Sequence, residues 1–160
     1  MATRLLIFAT ILIARLALAT EDAAPPLKPA QLAGVWESIL GQTQLYRMEL
    51  FGTGDGYLAF MVDREATIFR LTSASVSSGG RVYLEFRNLV VGSIPSDRAS
   101  FDGHGWAVEP EGFISGKLTF RGGGNYAVDI LFVKGPNSRT LAKMSQRAEQ
   151  LIDRARRKPH

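Results

Sequence analysis

Runs of strict two-residue alternation, joined by glycine-rich turns too short to hold a helix, confine most of this chain to antiparallel sheet. Val82, Leu84 and Phe86 alternate with Arg81, Tyr83, Glu85 and Arg87. Ile114, Gly116, Leu118 and Phe120 alternate with Ser115, Lys117, Thr119 and Arg121. Tyr126, Val128, Ile130 and Phe132 form a third apolar row opposite Ala127, Asp129, Leu131 and Val133. A period of two puts each set on one face of a strand. Gly122-Gly123-Gly124-Asn125 links the last two runs as a hairpin connection, where positive φ costs little. Earlier strands are predicted near 34–40, 45–51, 57–62 and 66–75. Gly52-Thr53-Gly54-Asp55-Gly56, Asp63-Arg64-Glu65 and Ser77-Ser78-Gly79-Gly80 supply the turns between them and into the next strand. A weaker strand around Trp106-Ala107-Val108 completes a meander of about eight.

A meander of that length closes most naturally on itself, because closure removes the exposed edges. The expected fold is therefore all-β, an antiparallel barrel of about eight strands followed by a helix. Eight strands leave an interior that side chains can fill or that can hold one small ligand. Arg, Lys, Glu and Asp on the outward rows argue against an outer-membrane barrel, whose lipid-facing side must be apolar.

The flanks divide the rest of the chain. Arg4, an apolar stretch from Leu5 to Ala14 and the small-x-small triplet Ala17-Leu18-Ala19 have the form of a cleaved export leader over residues 1–19. The apolar run falls short of the roughly twenty residues a spanning helix needs and is broken by Arg15, so no transmembrane segment is expected after cleavage. Residues 20–31, with three prolines, read as an extended arm, and 32–135 as the barrel. From 136 to 160 the period becomes helical: Leu141, Met144, Ala148, Leu151, Ile152 and Ala155 share a stripe that suits packing on the barrel wall. Asn137 or Ser138 is placed to cap its start.

Charge and cysteine narrow the function classes. The net charge of +4 is unevenly spread: residues 138–160 carry +5, the leader +2 and the body between them −3. The high isoelectric point thus belongs to one basic helix, and the body's composition offers no basic face for nucleic acid. Absence of cysteine removes disulfides, thiolate metal sites and a cysteine nucleophile. Export without disulfides points to a bacterial periplasm or to secretion.

Leu32-Ala33-Gly34-Val35-Trp36 opens the first strand with a Gly-x-Trp triplet. In this respect, and in strand number, meander order and terminal helix, the chain resembles the lipocalins and the wider calycin group, which also includes avidins and bacterial inhibitors of secreted metalloproteases. The resemblance implies a barrel plugged at one end by Trp36, with an arginine packed on the indole, for which Arg121 and Arg139 are the options. The second lipocalin signature is missing, with Asn125-Tyr126 its nearest echo, and the inhibitor family's disulfide is impossible here.

No catalytic arrangement stands out, and a non-enzymatic protein without cofactor or metal is expected. His104 in Asp102-Gly103-His104-Gly105-Trp106 reads as a loop residue. Gly52–Gly56 lacks the Lys-Ser/Thr ending of a phosphate loop, and Glu109 and Glu111 have nothing else to make them a glycosidase pair. Two functions fit. One is a carrier for a small hydrophobic ligand inside the barrel, lined by Trp36, Leu84, Phe86, Gly116, Leu118, Phe120, Tyr126, Val128, Ile130 and Phe132, with Gly116 leaving room in its row. The other is a protein-binding module, such as a periplasmic protease inhibitor, acting through the N-terminal arm or loops. The same apolar rows also suit a filled core with a purely structural or interaction role.

Overall fold

A computed structural model of the chain describes residues 24–41, 43–62, 65–90, 95–107, 112–135 and 142–157. The leader, its cleavage point, the Asn137/Ser138 cap, Leu141 and the glutamates at 109 and 111 lie outside the described residues.

Eight antiparallel strands close into one barrel in chain order. They are β1 (Gly34–Leu40), β2 (Gln44–Leu50), β3 (Gly56–Val62), β4 (Glu65–Val76), β5 (Arg81–Val90), β6 (Arg98–Ala107), β7 (Gly112–Arg121) and β8 (Tyr126–Lys134). One helix, α1 (Ala142–Arg157), follows. The meander, the strand number and the terminal helix are those expected from the alternation.

The main difference is β6. It spans ten residues and starts at Arg98, well before the short strand expected at 106–108. Its inward positions are Ala99, Phe101, Gly103 and Gly105. Small residues at three of four inward sites erase the hydrophobic alternation while keeping the strand. In β4 the register against β5 shifts between Leu71 and Ser73, leaving Thr72 as the extra residue, and its hydroxyl donates to the Glu85 carbonyl at 3.1 Å. Such bulges sharpen local twist and help a sheet curl shut.

Closure rests on a small region. β1 meets β8 in register only at Trp36↔Lys134 and Glu37↔Val133, whereas β1 and β2 pair along seven positions. Trp36 is fully buried there, and its indole N–H donates to the Leu32 carbonyl at 2.8 Å. The residue packed on that indole is Lys134, with its ammonium 5.4 Å from the ring centroid. This corrects the expectation of an arginine: Arg121 is exposed, and Arg139 lies outside the described residues. Lys134 also donates to the Gln31 carbonyl at 2.7 Å. Its stem passes over Gly34, where a Cβ would sit 2.8 Å from Lys134 Cε and where φ is +137°. The positive φ is what calls for glycine there, since the flexible end of the lysine could shift away from a Cβ.

The N-terminal segment is stitched to the same end. Pro26 bridges to Trp106, Leu27 donates to the Gly105 carbonyl at 2.8 Å, and Ala107 donates to the Pro25 carbonyl at 2.9 Å. Leu27 and Leu32 are buried among the lumen side chains, so this stretch covers the Trp36 end.

Helix α1 lies on the outside of β2–β4. Ala148, Ile152 and Ala155 pack on Leu45, Tyr57, Ala59, Met61 and Ile68, with Met144 and Leu151 at the margin. β3 is consequently covered on both faces, with Gly56 to Met61 all buried. Near the C-terminal end of α1, Arg156 lies 4.0 Å from the Phe51 ring centroid. A buried polar network sits beneath its first turns. Arg47 donates to Glu37 at 2.8 Å, to Glu49 at 2.7 Å and to Ser145 of α1 at 2.9 Å, and Ser145 also donates to Glu37. Arg47, Glu37 and Glu49 are all buried.

Removing one partner from such a cluster leaves an uncompensated buried charge, which costs about 3–5 kcal/mol. Arg47→Leu is therefore expected to lower the unfolding free energy by about that amount in urea denaturation. A loss under about 1 kcal/mol, the range of exposed pairs, would contradict a buried network. Burial pushes the Glu49 carboxyl pKa up, opposed by Arg47 and reinforced by Glu149 and Asp153. A raised folded-state pKa stabilises at low pH and loses that contribution as pH climbs through it. From about pH 4 upward wild type should therefore lose stability relative to Glu49→Gln. Urea midpoints of the two proteins across pH would check it, and a constant difference would refute it.

Candidate functional site

The barrel interior is the first candidate, because the sequence places its lining there. Trp36, Leu84, Leu118, Phe120 and Phe132 are fully buried in the lumen, with Phe86 and Ile130 nearly so and Val128 partly buried against them. These side chains touch one another across the barrel. Tyr46 of β2 lies 4.6 Å from Phe60 of β3, and Phe60 lies 6.0 Å from Phe120 of β7, measured between ring centroids. Phe120 also meets Phe69 of β4 at 5.6 Å and stacks on Tyr126 of β8 at 6.0 Å. A chain of rings thus crosses the lumen from β2 to β8, and centroid separations of this size are those of packed aromatic cores.

Gly116 and Tyr126 occupy different surroundings from the rest of that set. Gly116 pairs directly with Gly103 of β6. A Cβ on Gly116 would overlap the Asp102 carbonyl oxygen and the Gly103 Cα, so the space beside it is filled by a neighbouring backbone. Tyr126 is 45 % exposed at the end of the barrel opposite Trp36. Beside it, the buried Tyr46 hydroxyl has no hydrogen-bond partner among the described residues. Burial first, and the Tyr126 phenol second, push the Tyr46 pKa up.

The remaining chemistry suggested by the sequence is not assembled. Asp102 is engaged by Arg81 through two hydrogen bonds of 2.9 and 3.1 Å, and Arg81 holds its carboxyl below the usual range. His104 faces outward, and no hydrogen bond joins it to Ser115, its cross-strand neighbour, among the described residues. No group of three His, Cys, Asp or Glu among the described residues is placed to hold a metal ion.

Two hollows lie elsewhere. One, of about 230 Å³, sits at the Trp36 end between the 3-10 turn Pro29–Gln31 and the β2–β3 turn, lined by Pro29, Leu32, Phe51, Asp55 and Leu71. The other, of about 340 Å³, is on the outer face of β4–β7 and is lined by Tyr83, Glu85, Arg87, Arg98, Thr119 and Arg121, among others. Its origin is a matter of register. Arg87 of β5 stands opposite Arg98 of β6, which stands opposite Arg121 of β7. In the adjoining outward row Glu85, Ser100 and Thr119 are aligned, and the two short hydroxyl side chains leave the depression. These arginines belong to three different strands, so no local spacing groups them, and the acidic body charge conceals the row.

Gly116→Ala tests the close approach of β6 and β7. Forcing a methyl group into filled space should cost about 1–3 kcal/mol in chemical denaturation. A neutral or stabilising outcome would instead mean that open volume adjoins Gly116.

The architecture is a closed eight-stranded antiparallel barrel, consistent with a lipocalin-like small barrel. No family model, curated protein or solved structure matches the chain.

Proposed function

We propose that this chain is an exported, non-enzymatic lipocalin-like barrel that works as a binding module through its outside and its ends, with the lumen serving as core. The observation that supports it best is the ring chain Tyr46–Phe60–Phe120–Tyr126, which crosses the interior where a carrier would hold its ligand. A buried aromatic contributes about 1.5–3 kcal/mol only while its contacts persist. Opening the lumen for an acyl chain would forfeit several such contributions. The pairing of Pro25–Leu27 with β6 keeps that part of the arm on the barrel, so a partner would meet the loops and outer strand faces.

A second reading has one observation in its favour. The buried Tyr46 hydroxyl, beside half-exposed Tyr126 and without a hydrogen-bond partner among the described residues, would suit a small ligand entering at that end and offering one polar atom. Native mass spectrometry of the purified protein separates the two. The binding-module reading expects the mass of the polypeptide alone. A co-purifying lipid-sized adduct, lost in Phe120→Trp, would overturn it in favour of a carrier.

A further inference from the structure

We propose that the outer hollow on β4–β7 is a binding site for a small phosphate-bearing molecule with two or more anionic groups, held across Arg87, Arg98 and Arg121. This deepens the reading that binding happens outside the lumen and rests on it.

The first support is the register itself. Like charges directly opposite one another on adjacent strands destabilise a sheet. Here three guanidiniums stand in one row, and a fourth, Arg70 of β4, is aligned with Arg87. Arg70 is neutralised by Asp55 at 3.3 Å. No described residue forms an ion pair with Arg87, Arg98 or Arg121. All three are exposed, so their forks are available to a ligand.

The second support is the shape and lining of the depression. Strands about 4.8 Å apart place the outer two arginines of the row about 10 Å from each other. That length suits successive phosphates better than a single anion. Below the row, Ser100 and Thr119 offer hydroxyls, and Thr72 borders the same hollow. Glu85, the carboxylate among the described lining residues, accepts the Tyr83 phenol at 2.8 Å, which occupies part of its charge. Three cations against one anion leave the lining positive. Guanidinium forks match phosphate oxygens in pairs, and such charge-assisted bonds are among the strongest a surface can make.

Titration calorimetry of the purified protein with inorganic tripolyphosphate and with orthophosphate tests the site. Tripolyphosphate should bind at low salt, weaken markedly at about 1 M NaCl where screening is short-ranged, and bind at least about tenfold tighter than orthophosphate. Arg98→Gln, at the centre of the row, should weaken tripolyphosphate binding by about tenfold or more, because a charge-assisted bond to the anion is lost. Arg98→Lys should lose less, and Arg154→Gln on α1 nothing. Without ligand, Arg98→Gln should melt at or above the wild-type temperature, since a like-charge contact has been relieved.

Absence of tripolyphosphate binding to wild type at low salt overturns the proposal. So does equal affinity in Arg98→Gln, equal affinity for orthophosphate, an equal loss in Arg154→Gln, or a lower melting temperature in unliganded Arg98→Gln. An empty lumen with no tripolyphosphate binding removes this site alone. A lipid adduct alongside intact tripolyphosphate binding removes the packed-lumen reading and leaves the site standing.

Discussion

Everything in this barrel depends on joining β1 to β8. Seven of the eight strand junctions pair strands consecutive in the chain, which come together locally at little entropic cost. The eighth joins strands separated by the whole sheet, and it does so through two register pairs. Backbone pairing that short is a weak latch. Trp36 reinforces it by filling the end of the lumen, by bonding to the Leu32 carbonyl, and by accepting Lys134 against its face. Lys134 in turn ties the last strand to Gln31, and Gly135 donates to the Val35 carbonyl at 2.7 Å. Glycine at position 34 supplies the positive φ with which the strand begins beside that lysine. The Gly-x-Trp triplet is therefore the mechanical seal of the ring, and its spacing follows from that geometry.

Once the ring is closed, its bore is set by strand number and by what fills it. Eight strands enclose a width comparable to two opposed aromatic side chains. Phe120, level with Tyr126 toward the end opposite Trp36, meets rings from β3 and β4, while Phe101 and Phe132 make an edge contact at 5.9 Å nearer the Trp36 end. The Gly103–Gly116 pair draws β6 and β7 together beside them. Small residues in this wall and large ones in the wall opposite are two halves of one packing solution.

How much of this is visible beforehand depends on whether a feature is local. Alternation in 81–87, 114–121 and 126–133 depends only on neighbours in sequence, and those strands are where the period places them. β6 was legible only in fragment, since Gly103 and Gly105 carry no hydrophobic signal. The continuous apolar run from Tyr57 to Val62 signals burial on both faces, and α1 supplies the second cover. Lys134 on Trp36 and the Glu37–Arg47–Ser145 cluster join residues about a hundred positions apart in the chain. No spacing rule reaches that far. Period alone puts Leu84, Phe86, Leu118, Phe120, Ile130 and Phe132 on buried faces and leaves Tyr126 45 % exposed, yet whether a row encloses space or fills it depends on the opposite wall, which a single strand cannot report.

The contrast between the two arginine settings shows how this fold uses charge. Arg47 is enclosed, and the structure surrounds it with Glu37, Glu49 and Ser145, because a buried guanidinium without partners would not be tolerated. Arg87, Arg98 and Arg121 face water, where solvent and counter-ions moderate their repulsion and no internal partner is required. A sheet free to vary its outward positions would ordinarily alternate signs across strands, as Arg81–Asp102 and Lys117–Asp129 do farther along the same face. The row at 87, 98 and 121 breaks that alternation where short hydroxyl residues also open a hollow. A local departure from the charge pattern that coincides with a local departure from the surface shape is most economically explained by something that fits both, and a compact polyanion does.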